Sequence, residues 1–429
     1  MAYPPYQRCK PTADAWLGEV PAHWTVTSLR RYLMVKSGDM ISALEMEDDG
    51  YPVFGGNGFR GRYSHWNTEP NTLIIGRYGA LCGNARVTTE RIWATEHAFR
   101  AVPILPYSPR FFCYLVEAID LNKFSARSAQ PGLNSELVRA NACAVPPLDE
   151  QDVIADFLDR ETARIDVLID KKRRLLELLE EKRLAVITQA VTKGPDPNVP
   201  MKDSGIDWLG RIPAHWEAKR LRFVMETIEQ GWSPLCNNYP AEDDEWGVLK
   251  VGCVNGTTFD QSENKALPSD LAPREHYEIS SGDILMSRAN TKELLGSAAI
   301  VQEVRPKLLL CDKLYRLVVS AHIDRQFAVL ALRSHIARFQ CERAATGTSG
   351  SMQNIGQDTI KDVVVALPPL EEQRAIVAHL NPDGARTDRM MDANRRFIDV
   401  LQEYRSALIT NAVTGKIDVR GEVEKEAAA

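Results

Sequence analysis

The segment Trp16-Leu17-Gly18-Glu19-Val20-Pro21-Ala22-His23-Trp24 returns as Trp208-Leu209-Gly210-Arg211-Ile212-Pro213-Ala214-His215-Trp216, an offset of 192 residues. The same offset carries Leu29-Arg30 onto Leu221-Arg222. A second block, Val145-Pro146-Pro147-Leu148-Asp149-Glu150-Gln151, returns as Leu367-Pro368-Pro369-Leu370-Glu371-Glu372-Gln373, now offset by 222. Its likeness runs on through Ile154/Ile376, Leu158/Leu380, Arg164/Arg386 and Asp166/Asp388. It closes on Ala190-Val191-Thr192 against Ala412-Val413-Thr414. Nine-residue blocks with two Trp and a Pro do not recur by chance, so one half is written twice. The second half carries 30 more residues between its blocks.

Each half divides into a variable segment (34–144 and 226–366) and a shared segment (145–193 and 367–415). The shared segments have a helical pattern. Pro-Pro-Leu is extended, because a residue before proline avoids the α region. Asp149 can cap a short helix over Gln151–Leu158, and Asn381-Pro382-Asp383-Gly384 is expected to break the chain at the matching place. Longer helices are then expected over 162–191 and 385–413. Ile165, Leu168, Leu175, Leu179 and Val186 make a coiled-coil seam, matched by Met390, Phe397, Leu401 and Leu408. Two matched seams point to an antiparallel helix pair.

The variable segments carry short β-rich runs punctuated by Gly, Asn and Asp, such as Thr72-Leu73-Ile74-Ile75 and Leu314-Tyr315-Arg316-Leu317-Val318-Val319. The fold class that follows is α+β, with two tandem α/β domains, a pair of long antiparallel coiled-coil helices and a pseudo-twofold repeat. The expected boundaries are 1–144 and 194–366 for the domains, 145–193 and 367–415 for the helices, and 416–429 for a tail. Lys193-Gly194-Pro195-Asp196-Pro197-Asn198-Val199-Pro200 reads as the linker between halves. Glu422 to Ala429 reads as disordered.

Composition narrows the function. The 429 residues are 44% hydrophobic and 26% charged, which fits two or three folded units and not wholesale disorder. No run of about 18 apolar residues occurs, and Met1-Ala2-Tyr3-Pro4-Pro5 lacks a signal pattern, so a cytoplasmic location is expected. The eight cysteines contain no CxxC pair, which weighs against structural zinc and a disulfide framework. A net charge of −6 weighs against a free-standing nucleic-acid binder. The charge is not uniform, however. Residues 54–140 hold ten Arg/Lys against six Asp/Glu, and residues 284–350 hold ten against five. Acidity is gathered in stretches such as Glu45–Asp49 and Glu242–Glu245.

Several patterns imitate active sites. Phe54-Gly55-Gly56-Asn57-Gly58 fits an S-adenosylmethionine loop but lacks the strand before it and the helix after it, and reads as a β-turn. Tyr3-Pro4-Pro5-Tyr6 and Asn381-Pro382-Asp383-Gly384 each lack part of the Asn/Asp-Pro-Pro-aromatic loop of amino-methyltransferases. Pro195-Asp196 with Glu217-Ala218-Lys219 resembles a nuclease pattern, but Asp196 lies in the linker. No HxxxH or HExxH occurs, and His23 and His215 read as packing or capping residues. No catalytic residue and no metal ligand is assigned.

Two related domains on a helical spacer suit the reading of two separated patches. Basic residues interleaved with aromatic, amide and hydroxyl groups supply the donors and acceptors that base edges require. The candidate DNA-binding residues are Arg60, Arg62, Tyr63, Arg77, Tyr78, Arg127 and Gln130 in the first half. In the second half they are Arg288, Asn290, Lys292, Thr348, Ser349 and Gln353. Ile169, Leu176, Leu178 and Ile187 lie outside the expected seam and are available to the target domains or a partner protein. Lys171-Lys172-Arg173-Arg174 reads as a solvated face, or one turned to DNA or an acidic partner.

The segment Lys202-Asp203-Ser204-Gly205-Ile206-Asp207-Trp208 leading into the Trp repeat, the twice-used Pro-Pro-Leu-Asp/Glu-Glu-Gln, and Ala-Val-Thr closing each helix resemble the specificity subunit of type I restriction–modification systems. Gly347-Thr348-Ser349-Gly350-Ser351-Met352-Gln353-Asn354-Ile355 resembles the stretch that closes its target-recognition domains. Ser128-Ala129-Gln130-Pro131-Gly132-Leu133-Asn134 keeps only its outline. The resemblance implies that each variable segment reads one half of a split, asymmetric double-stranded DNA sequence and that the helices set the unread gap. It implies a non-catalytic subunit that recruits two modification subunits and, with them, restriction subunits. S-adenosylmethionine, ATP and Mg²⁺ would act on those partners, with no cofactor on this chain and no membrane. Two rival readings are a self-sufficient methyltransferase or nuclease, and a coiled-coil scaffold that never touches bases.

Overall fold

A computed structural model describes residues 3–125, 132–347 and 352–422. The expected disorder of the tail beyond Glu422 lies outside the described residues. The chain forms two compact units: residues 1–172 with 396–429, and residues 173–395. Neither unit is one half of the sequence. Each is completed by the end of the other half's long helix.

The sheets repeat in both units. In the first, four antiparallel strands lie in the order Leu33–Ser37, Ala98–Pro103, Leu73–Gly76, Ala85–Val87. In the second the order is Met225–Gln230, Leu314–Val319, Ile284–Ser287, Ala298–Ile300. The strands Leu73–Gly76 and Ile284–Ser287 are buried along their whole length, as expected of apolar runs covered on both faces. A three-stranded sheet with one parallel pair accompanies each: Gly58–Tyr63, Tyr51–Gly55, Trp93–Ala94, and Asn264–Ala266, Gly247–Leu249, Leu308–Leu309.

Helix α1, Pro109–Ile119, turns Phe111, Phe112, Leu115, Val116 and Ile119 inward. Helix α2, Ser135–Ala140, leads towards the long helix α3, Leu148–Lys193. The second copy supplies α4, Arg325–Arg333, an added α5, His335–Arg343, then α6, Gln357–Asp362, and the long α7, Leu370–Val413.

The repeated glutamine joins each long helix to its domain. Gln151 accepts the Ser108 N–H at the start of α1 (2.8 Å) and donates to the Pro146 carbonyl (2.9 Å). Gln373 accepts the Asp324 N–H at the start of α4 (2.7 Å) and donates to the Pro368 carbonyl (2.9 Å). Both glutamines are buried, so an amide is retained where its donor and acceptor are both used.

The repeated His-Trp pair meets the glutamate before that glutamine. In the first unit buried Glu150 accepts from the Tyr6 hydroxyl (2.7 Å) and Trp24 Nε1 (3.1 Å), with His23 Nε2 at 2.7 Å. Burial and the Glu150 carboxylate push the Tyr6 phenol well above its usual range. In the second unit His215 Nε2 lies 2.8 Å from Glu372, and Trp216 Nε1 is buried without an acceptor. Both tryptophans are walled by a left-handed glycine that ends a long helix. Gly415 (φ +70) closes α7 on Trp24, and Gly194 (φ +78) closes α3 on Trp216.

Two expectations about the helices are corrected. First, neither shared segment is split. Helix α3 is continuous over 46 residues and α7 over 44, roughly 69 and 66 Å at 1.5 Å per residue. Asp159-Arg160-Glu161 are adequate helix formers, and the Thr162 hydroxyl bonds back to the Leu158 carbonyl (2.7 Å). Pro382 lies inside α7 at an exposed position. The carbonyl it leaves unpaired, on exposed Ala378, faces water, and the missing bond is one among many.

Second, the seam is shared between the expected positions and the residues that follow four of them. Leu168 (44%), Val186 (37%), Met390 (43%) and Phe397 (47%) are exposed. Ile169, Ile187, Met391 and Ile398 are buried beside them, with Ile165 and Leu408. Leu175, Leu179 and Leu401 are half-buried. One residue is about 100° of helix rotation, and apolar side chains at both positions offered two stripes. Polar contacts accompany the apolar ones: Lys172 stacks on the half-exposed Phe397 ring, Arg405 pairs with Asp166 (3.0 Å), Arg183 pairs with Asp388, and Asn394 is buried. Of the residues expected outside the seam, Ile169 and Ile187 are buried, Leu176 is half-buried and Leu178 is exposed. Ile187 belongs to the apolar core around Trp216.

The two stripes predict opposite outcomes. Leu168→Lys and Met390→Lys should change stability by no more than about 0.5 kcal/mol. Ile169→Lys and Ile398→Lys should each cost several times that by burying a charge. Urea denaturation of the four variants separates the two sets.

Candidate nucleic-acid interface

In each unit an arginine follows the innermost strand of the four-stranded sheet. Arg77 comes after Leu73–Gly76, and Arg288 after Ile284–Ser287. The backbone around them is matched. The Arg77 carbonyl accepts from Leu133 N–H (2.9 Å), and the Arg288 carbonyl from Ile355 N–H (3.0 Å). Tyr78 bridges Gly132, and Ala289 pairs with Asn354. Residues 77, 78 and 79 thus correspond to 288, 289 and 290, an offset of 211 that neither repeat in the sequence contains.

Arg77 is half-buried. Its Nη1 donates to Ser37 Oγ (3.0 Å) and, longer, to the Glu96 carbonyl (3.4 Å). Its guanidinium carbon lies 4.6 Å from the Tyr78 ring centre and 5.3 Å from that of Phe99. Arg288 donates to the Asp312 carbonyl at 3.4 Å. In both arginines Nε is buried with no acceptor among the described residues and out of a ligand's reach, and Nη2 makes no hydrogen bond to those residues, so each guanidinium is incompletely paired. An arginine held in place yet short of acceptors suits an incoming phosphate or guanine edge.

Beside Tyr78, the residue after Arg77, the first unit opens a cavity of about 280 Å³ bounded by Gly56, Asn57, Arg60, Tyr78, Gly79 and His97. Arg60 is exposed and makes no hydrogen bond or ion pair with the described residues, and the Tyr78 and His97 rings meet edge-on at 5.6 Å. The Phe54-Gly55-Gly56-Asn57-Gly58 segment is the turn of a hairpin, with Gly55 opposite Gly58. A Cβ at Gly56 would stand 2.5 Å from the Tyr78 carbonyl, so only glycine allows this close approach.

The other candidates are more scattered. Arg62 is exposed, with Nη1 donating to the Gly50 carbonyl (2.8 Å), and Tyr63 packs edge-on against Trp93 (5.0 Å). Neither lines the cavity. Lys292 is exposed. Gln353 is half-buried in the strand pair beside Arg288, and its Oε1 is unpaired. Asn290 departs from expectation. It is buried and bonded within the protein to Asn255 (2.8 Å) and Thr291 N–H (2.9 Å). Its amide supports the site and does not present itself outward. Arg127, Gln130, Thr348 and Ser349 lie outside the described residues.

Several of the counted cations are also engaged within the protein. Arg110 pairs with Asp156 (2.7 Å) and Asp159 (2.9 Å), and Arg100 donates to the Asn67 carbonyl. Arg316 pairs with Glu229 and Asp283, and Arg305 donates to the Glu245 carbonyl. Arg333 donates to the carbonyls of Ala298, Gly256 and Thr257, and burial pushes its pKa down to about 10. These cations hold the fold together. Asn57, His97 and Asn255 were missed in the sequence, although Gly-Asn-Gly and Val-Asn-Gly marked two of them as turn residues.

The remaining decoys do not assemble. Lys219 pairs with Glu217 on its own strand (3.1 Å), and Asp196 caps the Asn198 N–H (2.9 Å). Among the described residues no three His, Cys, Asp or Glu side chains converge as metal ligands. All eight cysteines are free thiols, and burial pushes Cys143 and Cys341 up to about 12. No helix among the described residues is long and apolar enough to cross a membrane.

The family model of the type I restriction modification DNA specificity domain matches twice, at residues 21–178 and 214–390. The chain belongs to this family. The two matches coincide with the two copies read from the Trp and Pro-Pro-Leu blocks. Relatives include the type I restriction enzyme EcoEI specificity subunit of Escherichia coli, 31% identical over 48% of this chain and 34% of that protein. The EcoprrI specificity subunit of Escherichia coli is 34% identical over 31% of this chain and 34% of that protein. The EcoKI specificity subunit of Escherichia coli (strain K12) is 25% identical over 71% of this chain and 64% of that protein. The match thus spans about a third of the first two relatives' length. A solved structure described as the basis of complex assembly and conformational transition of the type I R-M system superposes with a TM-score of 0.63. It is 15% identical and covers 93% of this chain and 99% of that one, which shows the shared fold.

Proposed function

We propose that the chain is the DNA sequence-specificity subunit of a type I restriction–modification complex. The observation that carries this is the pair Arg77 and Arg288, two under-paired arginines at one structural position in two units of matching topology. Each unit reads one half of a bipartite, asymmetric DNA target. Helices α3 and α7 set the length of the unread gap between the halves. The chain carries no chemistry of its own. It recruits two modification subunits, which bind S-adenosylmethionine and methylate adenine, and restriction subunits, which use ATP and Mg²⁺. The family and the names of its relatives as specificity subunits support this division of labour.

A matched insertion tests the reading. Seven residues added in α3 after Lys172 and seven in α7 after Arg395 preserve the heptad phase of both helices. Methylome sequencing of cells carrying the complex should then show both half-sequences unchanged and a longer gap. Altered half-sequences with an unchanged gap would refute the two-reader assignment. Exchanging residues 34–144 for those of another family member should change one half-sequence alone.

A further inference from the structure

Asn57 and Asn255 occupy corresponding places in the two units and are held in opposite ways. Each lies in the connection leaving the central strand of its three-stranded sheet, Tyr51–Gly55 in one unit and Gly247–Leu249 in the other. Each amide reaches the second residue after the matched arginine, which is Gly79 in the first unit and Asn290 in the second.

At Gly79 a Cβ would stand 3.4 Å from Asn57 Nδ2 and 3.5 Å from its Oδ1. Asn57 therefore lies over a residue with no side chain to hold it. It is exposed and makes no hydrogen bond to the described residues. Its amide is free to turn and can present donor and acceptor side by side.

In the second unit Asn290 removes that freedom. Its Oδ1 accepts from Thr291 N–H (2.9 Å) and its Nδ2 donates towards the Leu294 carbonyl (3.4 Å). Turning the amide over would lose both backbone bonds, so its orientation is set. Its Nδ2 also donates to Asn255 Oδ1 (2.8 Å). Asn255 must then keep its oxygen inward, and this half-buried side chain offers only its NH₂ outward.

We infer that Asn57 and Asn255 are specificity-determining residues of opposite kind, Asn57 for adenine and Asn255 for a base edge that only accepts. Adenine presents an acceptor, N7, beside a donor, N6, and a free amide satisfies both. A donor locked outward suits guanine N7/O6 or thymine O4; cytosine offers it only an amino group, and adenine offers N7 while its N6 amino group beside it goes unpaired. Arg60, Tyr78 and His97 around the first cavity give Asn57 a cationic and aromatic flank. The inference rests on the two-reader function proposed above.

The test is selection from a randomised duplex library by the full chain, isolated from its host with the subunits that accompany it, followed by sequencing of the bound DNA. Asn57→Ala should lower the preference for adenine at one position of one half-sequence by about tenfold and leave the other half intact. Asn255→Asp keeps the bond from Asn290 and turns an outward donor into an acceptor. It should move one position of the other half-sequence from guanine or thymine to cytosine or adenine, and the base lost identifies which of the two is read. Asn290→Gly should free Asn255 and raise the share of adenine there. If that variant fails to fold, Asn255→Asp still decides. Two intact half-sequences in both Asn57→Ala and Asn255→Asp would overturn the inference while leaving the two-reader function standing. If the unaltered chain enriches no half-sequence, the function itself fails and the inference falls with it.

Discussion

Trp24→Ala is expected to destabilise the first unit by about 3–5 kcal/mol, the usual cost of truncating a buried Trp. The ring is 1% exposed and packs edge-on against Tyr6 and Phe111, with Gly415 closing over it. Trp216→Ala should cost the second unit a similar amount, because Trp216 is as deeply buried. The phenylalanine variants separate the two sites. Trp24→Phe also removes a donor from the buried Glu150 carboxylate and should cost about 1.5–3 kcal/mol from that bond. Trp216 Nε1 has no acceptor among the described residues, so Trp216→Phe loses no hydrogen bond to them and should be the milder change. Hydrogen exchange resolved by unit, read beside urea denaturation, checks both pairs. Equal costs for the two phenylalanine variants would show that the Glu150 cluster contributes little.

Arg77→Ala and Arg288→Ala should each weaken discrimination within one half-sequence by about 1–3 kcal/mol, roughly 5- to 150-fold, and spare the other. A base-reading arginine loses this discrimination with little change in salt dependence. A phosphate-contacting one weakens binding to all sequences and reduces the salt slope by about one. Lysine should not rescue either position if the contact is bidentate, because an ammonium lacks the planar fork. Affinity measured against matched and scrambled half-sequences over a range of salt distinguishes these outcomes. Unchanged recognition in both alanine variants would favour a scaffold that does not read bases.

Much of this was legible without coordinates, and the reasons are local. The Trp and Pro-Pro-Leu blocks repeat because each makes the same short-range and helix-to-domain contacts twice. Gln151 and Gln373, in the first turns of α3 and α7, show this most directly by bonding to the starts of α1 and α4. The glycines of Phe54-Gly55-Gly56-Asn57-Gly58 marked a turn because close backbone approach excludes a side chain. Where the reading failed, the competing terms were tertiary. Leu168 and Ile169 both look like seam residues, and only the facing helix decides between them. Pro382 looked like a break, but one missing backbone bond at an exposed position does not outweigh the packing of the rest of α7. Asn290 looked like a reader because asparagine suits adenine, whereas its neighbours Thr291, Leu294 and Asn255 use both ends of its amide.

The sequence by itself determined that the protein is a duplication, with long helices between two β-rich domains and a family to match. Those properties follow from periodicity and repeated contacts near in the chain. Tertiary structure alone decided that neither unit is one half of the sequence. The end of α3 closes on Trp216 and the end of α7 on Trp24, so each buried ring takes part of its wall from a helix that begins in the other half. It also paired Arg77 with Arg288 and set Asn57 free while locking Asn255. Such matches depend on which backbone groups face one another across a fold, and no spacing along the chain encodes that.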